Sequence, residues 1–211
     1  MDAENLGFIH RFIPARDTNQ SSTLLLLHGT GGDENDLLEL GRMLAPGLAL
    51  LSPRGKVLEN GMPRYFRRFA EGVLDIEDLK QRTYELTDFV EAASAIYGFD
   101  PQKVIAVGFS NGANIAASML LLRPHVLHVA ILFHPMVPLV PEKQPNLSGV
   151  PVFIGAGRSD PLVPEHETQR LAHLLQRTGT DVTSYWQSGG HTISHEEVRA
   201  AREWLKLKQP G

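Results

Sequence analysis

Ser110 sits at the centre of Gly108-Phe109-Ser110-Asn111-Gly112, between the apolar run 103–107 and the helix-like stretch 113–120. Glycines on both sides of a serine permit a turn too tight for Cβ atoms and leave Oγ exposed above a sheet, so the pattern reads as a nucleophile elbow. A serine hydroxyl needs a general base at neutral pH, and an imidazole suits that task. Nine histidines compete for it. His191 is the candidate, because Gly189-Gly190-His191 follows the last expected strand and brings the ring to the edge that Ser110 faces. His28 adjoins a glycine-rich loop, where ordering the backbone is the better role, and His195 opens a helix. His134 follows the strand 127–133 and is taken as a pocket residue, with Pro135 holding its backbone toward extended conformations.

The imidazole must be oriented, and its cation stabilised, by a carboxylate. Asp160, on a short loop after the strand 152–155, completes the order Ser, Asp, His expected of α/β-hydrolases. Asp181 and Glu165 are weaker rivals, since one opens a strand at its far end and the other projects from a helix. A tetrahedral intermediate also needs donors for its oxyanion. The backbone N–H of Asn111, directly after the nucleophile, is one; that of Thr30, within His28-Gly29-Thr30-Gly31-Gly32, is the other. A phosphate loop is the competing reading of these glycines, but neither a Lys-Ser or Lys-Thr ending nor a G-x-G-x-x-G is present.

Alternating elements must hold these groups. Apolar runs at 8–13, 23–27, 48–52, 103–107, 127–133, 152–155 and 181–186 read as strands. Between them, 35–44, 79–97, 111–122, 164–177 and 194–207 show helical apolar spacing. The alternation predicts a three-layer α/β sandwich with a mainly parallel sheet, folded as a single domain over 1–211. The chain has 211 residues, a formal net charge of −4 and no basic stripe, which argues against nucleic acid as a partner. With no cysteine, a thiol nucleophile and thiolate metal sites are excluded. Met1-Asp2-Ala3-Glu4-Asn5 lacks the basic and apolar parts of a signal peptide, and no run is long enough to span a bilayer, so a cytoplasmic protein is expected.

Four stretches together carry a resemblance: Leu27-His28-Gly29-Thr30-Gly31-Gly32-Asp33, the Ser110 elbow, 155–164 with Asp160, and Gly190-His191. In that order they resemble the phospholipase/carboxylesterase family of α/β-hydrolases over nearly the whole chain. The resemblance implies a sheet of about seven or eight strands and a serine esterase that needs no metal or other cofactor. Members are often dimers, so a homodimer is the assembly it implies, although no exposed apolar patch stands out in the sequence. Acyl-protein thioesterases of the family typically carry Gln where this chain has Asn111; the backbone donor is unaffected, but protein depalmitoylation is disfavoured. Residues 110–117 and His134-Pro135-Met136-Val137-Pro138 are more similar to bacterial carboxylesterases, including those associated with hydroquinone and aromatic-compound metabolism.

The interval 134–150 holds four prolines and no room for a helical lid, so an accessible cleft and short- to medium-chain esters are expected. The stretch 53–76 is too long for an ordinary connection. Either it folds over Ser110, with Tyr65 and Phe66 lining the pocket beside Met136 and Leu162, or its aromatics anchor it to the core and its arginines are solvated. Thioester or lysophospholipid hydrolysis, a peptidase, and a non-catalytic hydrolase-like ligand receptor are the alternative functions.

Overall fold

The computed structural model describes residues 6–16 and 22–208. The N-terminal stretch read above for a leader lies outside the described residues. In chain order the elements are β1 (His10–Ile13), β2 (Thr23–Leu27), α1 (Leu38–Leu44), β3 (Ala49–Pro53), β4 (Val57–Glu59), β5 (Met62–Arg64), β6 (Arg68–Ala70), β7 (Val73–Leu74), α2 (Ile76–Tyr97), β8 (Val104–Phe109), α3 (Asn111–Leu122), β9 (Val129–Phe133), β10 (Pro151–Gly157), α4 (Glu165–Gln176), β11 (Asp181–Gln187) and α5 (His195–Lys208).

The apolar runs fold as strands because both of their faces are covered. In β2, Leu25 and Leu27 belong to one hydrophobic cluster and Leu24 and Leu26 to the other, the period of two that a pleated strand imposes. Ala106 and Ile105 divide in the same way in β8, as do Leu132 and Ile131 in β9 and Ile154 and Phe153 in β10. Residues of α2, α3 and α4 fill the first cluster, including Leu86, Ile115 and Leu171; Leu44 of α1 and Val198, Ala201 and Trp204 of α5 fill the second. The result is the expected sandwich of helices on both sides of a sheet.

That sheet has seven strands in the order β1-β3-β2-β8-β9-β10-β11. Only the edge pair β1 and β3 is antiparallel; every other pairing is parallel. Parallel strands end on the same side. The carboxyl ends of β2, β8, β9, β10 and β11 therefore deliver Thr30, Ser110, His134, Asp160 and His191 to one edge of the sheet, where ligands of open α/β sheets bind.

The stretch 53–76 is more ordered than a loop. It forms two antiparallel hairpins, β4–β5 and β6–β7, with Asn60 and Gly61 at φ 51° and 79° in the first turn. The second hairpin runs into α2 through Asp75, whose carboxylate accepts from the N–H of Asp78 at 3.1 Å. From 134 to 150 no helix forms, and among the described residues no helix is long and apolar enough to cross a membrane.

Gly112 is where the elbow meets β2. A Cβ there would strike the carbonyls of Leu27 and His28, both backbone atoms within a central part of the sheet. Gly112→Ala should therefore cost at least about 2 kcal/mol of stability, read as a lower urea midpoint at unchanged slope; an unshifted midpoint would contradict this packing.

Candidate active site

Ser110 is held at φ 52°, ψ −113° between β8 and α3. A non-glycine residue in that region is strained by on the order of 1–3 kcal/mol and persists only where its surroundings over-determine it. Here the Ser110 N–H donates to Phe133 O at 2.9 Å and Ser110 O accepts from the N–H of Asn114 at 2.9 Å. Gly108 lets β8 and the first turn of α3 cross closely, since a Cβ on it would lie 2.5 Å from Gly112 O. The hydroxyl is thereby presented at the strand end, on a helix N-terminus.

From Ser110 a hydrogen-bonded series runs inward. Its Oγ–H donates to His191 Nε2 at 2.8 Å, and His191 Nδ1–H donates to Asp160 Oδ2 at 2.7 Å. The loop that carries His191 is pinned by Gln187, whose Oε1 accepts from the Gly189 N–H at 2.6 Å and whose Nε2 donates to Gly190 O and Thr192 O, both at 3.2 Å. Gly157 allows that loop to approach the Asp160 loop: a Cβ would sit 2.5 Å from the carbonyl oxygens of both Gly189 and Gly190. Asp160 Oδ1 accepts from the N–H groups of Leu162 and Val163 at 2.8 and 3.0 Å. Burial pushes the Asp160 carboxyl up, but those amides and two imidazoles outweigh it and hold the group below the usual aspartate range.

The second imidazole is His134, which requires a correction. It was expected to line the pocket with an extended backbone; it is buried behind Asp160, at φ 54° in the left-handed region. Its N–H donates to Gly155 O at 2.7 Å, which ties the end of β9 to β10 and turns the ring inward. Nδ1 lies 2.9 Å from Asp160 Oδ2, and Nε2 lies 3.3 Å from Glu197 Oε1 on α5. Burial pulls the His134 imidazole down, yet the two flanking carboxylates more than offset this and hold it above the usual histidine range. The donor atoms of His134, Asp160 and His191 lie within 4.8 Å of one another, a spacing a metal ion can bridge. Both Nδ1 atoms are already directed onto one carboxylate oxygen, so the set is engaged with itself rather than open to an ion.

Thr30 and Asn111 flank Ser110 in the cleft wall. The Asn111 N–H is the first amide of α3, one of those a helix leaves without an internal partner. The Thr30 loop is fixed from several sides: His28 Nδ1–H donates to Gly29 O at 2.6 Å, and His28 Nε2 accepts from the Gly55 N–H at 2.9 Å. This is the backbone-ordering role expected of His28, and burial keeps the ring below the usual histidine range. From the first hairpin, Pro63 O accepts from the Gly31 N–H at 2.9 Å, and Arg64 Nη1 donates to Thr30 Oγ1 at 2.5 Å. The Asn111 side chain has a task too: its Oδ1 accepts from the Tyr65 N–H at 2.7 Å.

Tyr65 and Phe66 do not line the pocket. Both are buried in the core, the Tyr65 hydroxyl donating to Pro53 O at 2.7 Å, because these aromatics anchor the hairpins instead of facing a ligand. Of the arginines beside them, Arg67 is exposed, as the second reading expects, but Arg64 and Arg68 are withdrawn from solvent. Arg64 is 3 % exposed and lines the cleft with Arg68. Both pair with Glu59, at 3.1 and 2.9 Å, and Arg68 also pairs with Glu71. The cleft of about 280 Å³ is further lined by Leu74, Phe109, Asn114, Met136, Leu162 and Val163. Met136 and Leu162 thus border it, whereas the capping-box pattern from Ser194 to Glu197 gave no sign that Glu197 also faces His134.

A family model described as phospholipase/carboxylesterase matches residues 9–209. The chain is 53 % identical over 185 residues to the putative hydrolase MhqD of Bacillus subtilis, covering 88 % of this chain and 92 % of that protein. The Bacillus cereus carboxylesterase structure superposes with a TM-score of 0.95 at 46 % identity, covering 98 % of this chain and 97 % of the other. The structure of YahD with malic acid superposes with a TM-score of 0.90 at 35 % identity, covering 96 % and 100 %. These neighbours make the layered sheet an α/β-hydrolase fold.

A carboxyl with a lowered folded pKa contributes stability above its unfolded pKa of about 3.9 that is lost as pH falls through the folded value. The stability gap between wild type and Asp160→Asn should therefore be full at neutral pH and shrink in acid below about pH 4. Urea unfolding across that range checks it; a gap independent of pH would contradict the lowered carboxyl.

Proposed function

The chain belongs to the phospholipase/carboxylesterase family and is a carboxylic ester hydrolase; from that premise we propose that it cleaves short- to medium-chain esters through an acyl-enzyme on Ser110. The observation that carries this reading is the unbroken series from Ser110 Oγ through His191 to Asp160, at 2.8 and 2.7 Å. His191 Nε2 takes the hydroxyl proton as Oγ attacks the ester carbonyl. Asp160 keeps Nδ1 protonated, so the attacked side of the ring is the basic one, and it stabilises the imidazolium that forms. The N–H groups of Thr30 and Asn111 receive the oxyanion. His191 then passes its proton to the leaving alcohol and activates water for deacylation.

The cleft supports the choice of substrate. At about 280 Å³ it lies just below the roughly 300–1,000 Å³ of drug-sized ligand sites, and Arg64, Arg68, Glu71 and Asn114 give it a polar wall. A long acyl chain would be set against buried charge. Small esters with a polar group on the acyl or alcohol side fit better, and the solution of a relative with malic acid, a small polar acid, is in keeping with that wall.

Ser110→Ala should abolish both ester turnover and labelling by a fluorophosphonate while leaving the melting temperature within a few degrees of wild type. More than a few per cent of the wild-type rate in the variant would overturn the assignment. In a nitrophenyl series from acetate to palmitate, kcat/KM should be highest at the short end and fall steeply at the long end. A maximum at palmitate would contradict the polar wall.

A further inference from the structure

The mechanism just given uses one imidazole, but Asp160 holds two. His191 Nδ1 and His134 Nδ1 approach the same oxygen, Oδ2, at 2.7 and 2.9 Å, and the two rings lie edge to face with centroids 5.2 Å apart. A carboxylate oxygen only accepts, so each Nδ1 in these contacts must carry a proton. With Nδ1–H directed at Asp160, the far atom of His134, Nε2, faces Glu197 Oε1 at 3.3 Å, and both of those side chains are fully buried. Neither atom has another partner, and their alignment falls short of a full hydrogen bond.

A lone pair facing a carboxylate in a buried site is repulsive, so one proton must lie between them. It resides on His134, making an imidazolium between two carboxylates, or on Glu197, making a neutral pair. Glu197 accommodates either, because its other oxygen accepts from the Ser194 N–H at 2.8 Å while its own N–H donates to Ser194 Oγ at 3.1 Å, a capping box at the start of α5. In both forms His134 presents N–H to Asp160. The other charged or titratable groups packed around His134 are Asp160 on the loop after β10, His191 on the loop after β11 and Glu197 on α5; Phe109 of β8 covers it edge-on.

We propose that His134 is a positioning residue of the reaction: held as an Nδ1–H donor by the proton it shares with Glu197, it fixes Asp160 Oδ2 and moderates how strongly that oxygen draws the proton onto His191. The inference rests on the Ser110 reading above but concerns a different observable. A second donor on Oδ2 takes up part of the carboxylate's charge, so the imidazolium form of His191 is favoured less than it would be with Oδ2 free.

The test compares His134→Leu, which removes the donor, with His134→Asn, whose amide nitrogen takes the place of Nδ1 and whose side chain tolerates positive φ. The acid limb of kcat/KM should move to higher pH by about half a unit to one unit in the Leu variant and return most of the way in the Asn variant. Lower activity with the acid limb unmoved in both variants would mean a purely structural role and would overturn the proposal. A second measurement uses wild-type protein labelled with nitrogen-15 histidine. His134 Nδ1 should show a protonated-nitrogen shift at every pH from about 5 to 8, spanning the ordinary histidine range; an unprotonated Nδ1 would refute the shared-proton arrangement whether or not the variants fold. Fluorophosphonate labelling of wild-type Ser110 separates failure of this inference from failure of the esterase reading.

Discussion

A serine at φ 52°, ψ −113° cannot hold that conformation by itself. The strain is offset by the packing around it: β8 passes close to α3 at Gly108, α3 presses onto β2 at Gly112, and β9 lends the Phe133 carbonyl to the Ser110 amide. Each of these contacts is between backbones in the middle of the sheet, where the chain has least room to relax. The position of the hydroxyl is therefore a property of the three central strands β2, β8 and β9 together. Local flexibility at Ser110 would release the strain and lose the geometry in the same movement.

The other groups depend on that fixed point. Parallel strands bring the Thr30, His134, Asp160 and His191 loops to the edge where Ser110 stands, and backbone hydrogen bonds between neighbouring loops set their heights. The hairpins β4–β5 and β6–β7 complete the arrangement from outside the sheet. The first grips the Thr30 loop through Pro63 and Arg64 and the start of α3 through Tyr65, so both candidate oxyanion amides lean on one short segment. Arg64 thus has two functions, as a strut for the Thr30 loop and as part of the cleft wall. Behind the wall, the shared oxygen of Asp160 links β9, the loops after β10 and β11, and α5 through His134 and Glu197.

What could be read from the sequence divides along physical lines. Strands buried on both faces announce themselves as short apolar runs, and all seven sheet strands were anticipated with ends shifted by a few residues. The grouping of Ser110, Asp160 and His191 follows from strand ends and chain order. The hairpins were harder, because their strands are two or three residues long and half exposed, leaving little hydrophobic period to detect. The signal available was Asn60-Gly61, a dipeptide suited to the positive φ at both positions of a tight hairpin turn. Tyr65 and Phe66 stand open in the sequence between pocket wall and core anchor because large aromatics suit both equally well, and only the tertiary structure decides between them. His134 and Glu197 meet across 63 positions in sequence, counted from 134 to 197, which no local pattern encodes. Ser194 followed three residues later by Glu197 does mark a capping box, although it does not reveal that the second carboxylate oxygen is turned toward a histidine.

A serine oxygen nucleophile suits this arrangement, in which Ser110, His191, Asp160 and His134 are joined through a connected set of side-chain contacts. The Asp160 carboxylate meets the imidazole that faces the serine and a second imidazole from behind, and the proposed preference for small, polar esters rests on the charged wall of the cleft. All of it assumes that the reaction passes through a covalent bond to Ser110. The most direct measurement is acid quenching during turnover of a nitrophenyl ester, followed by intact-mass and peptide mass spectrometry. The account predicts one added acyl group per chain, carried by the peptide that contains Ser110, and a burst of nitrophenol of matching amplitude. An adduct on another residue, or turnover with neither burst nor adduct under conditions where deacylation is slow, would contradict it.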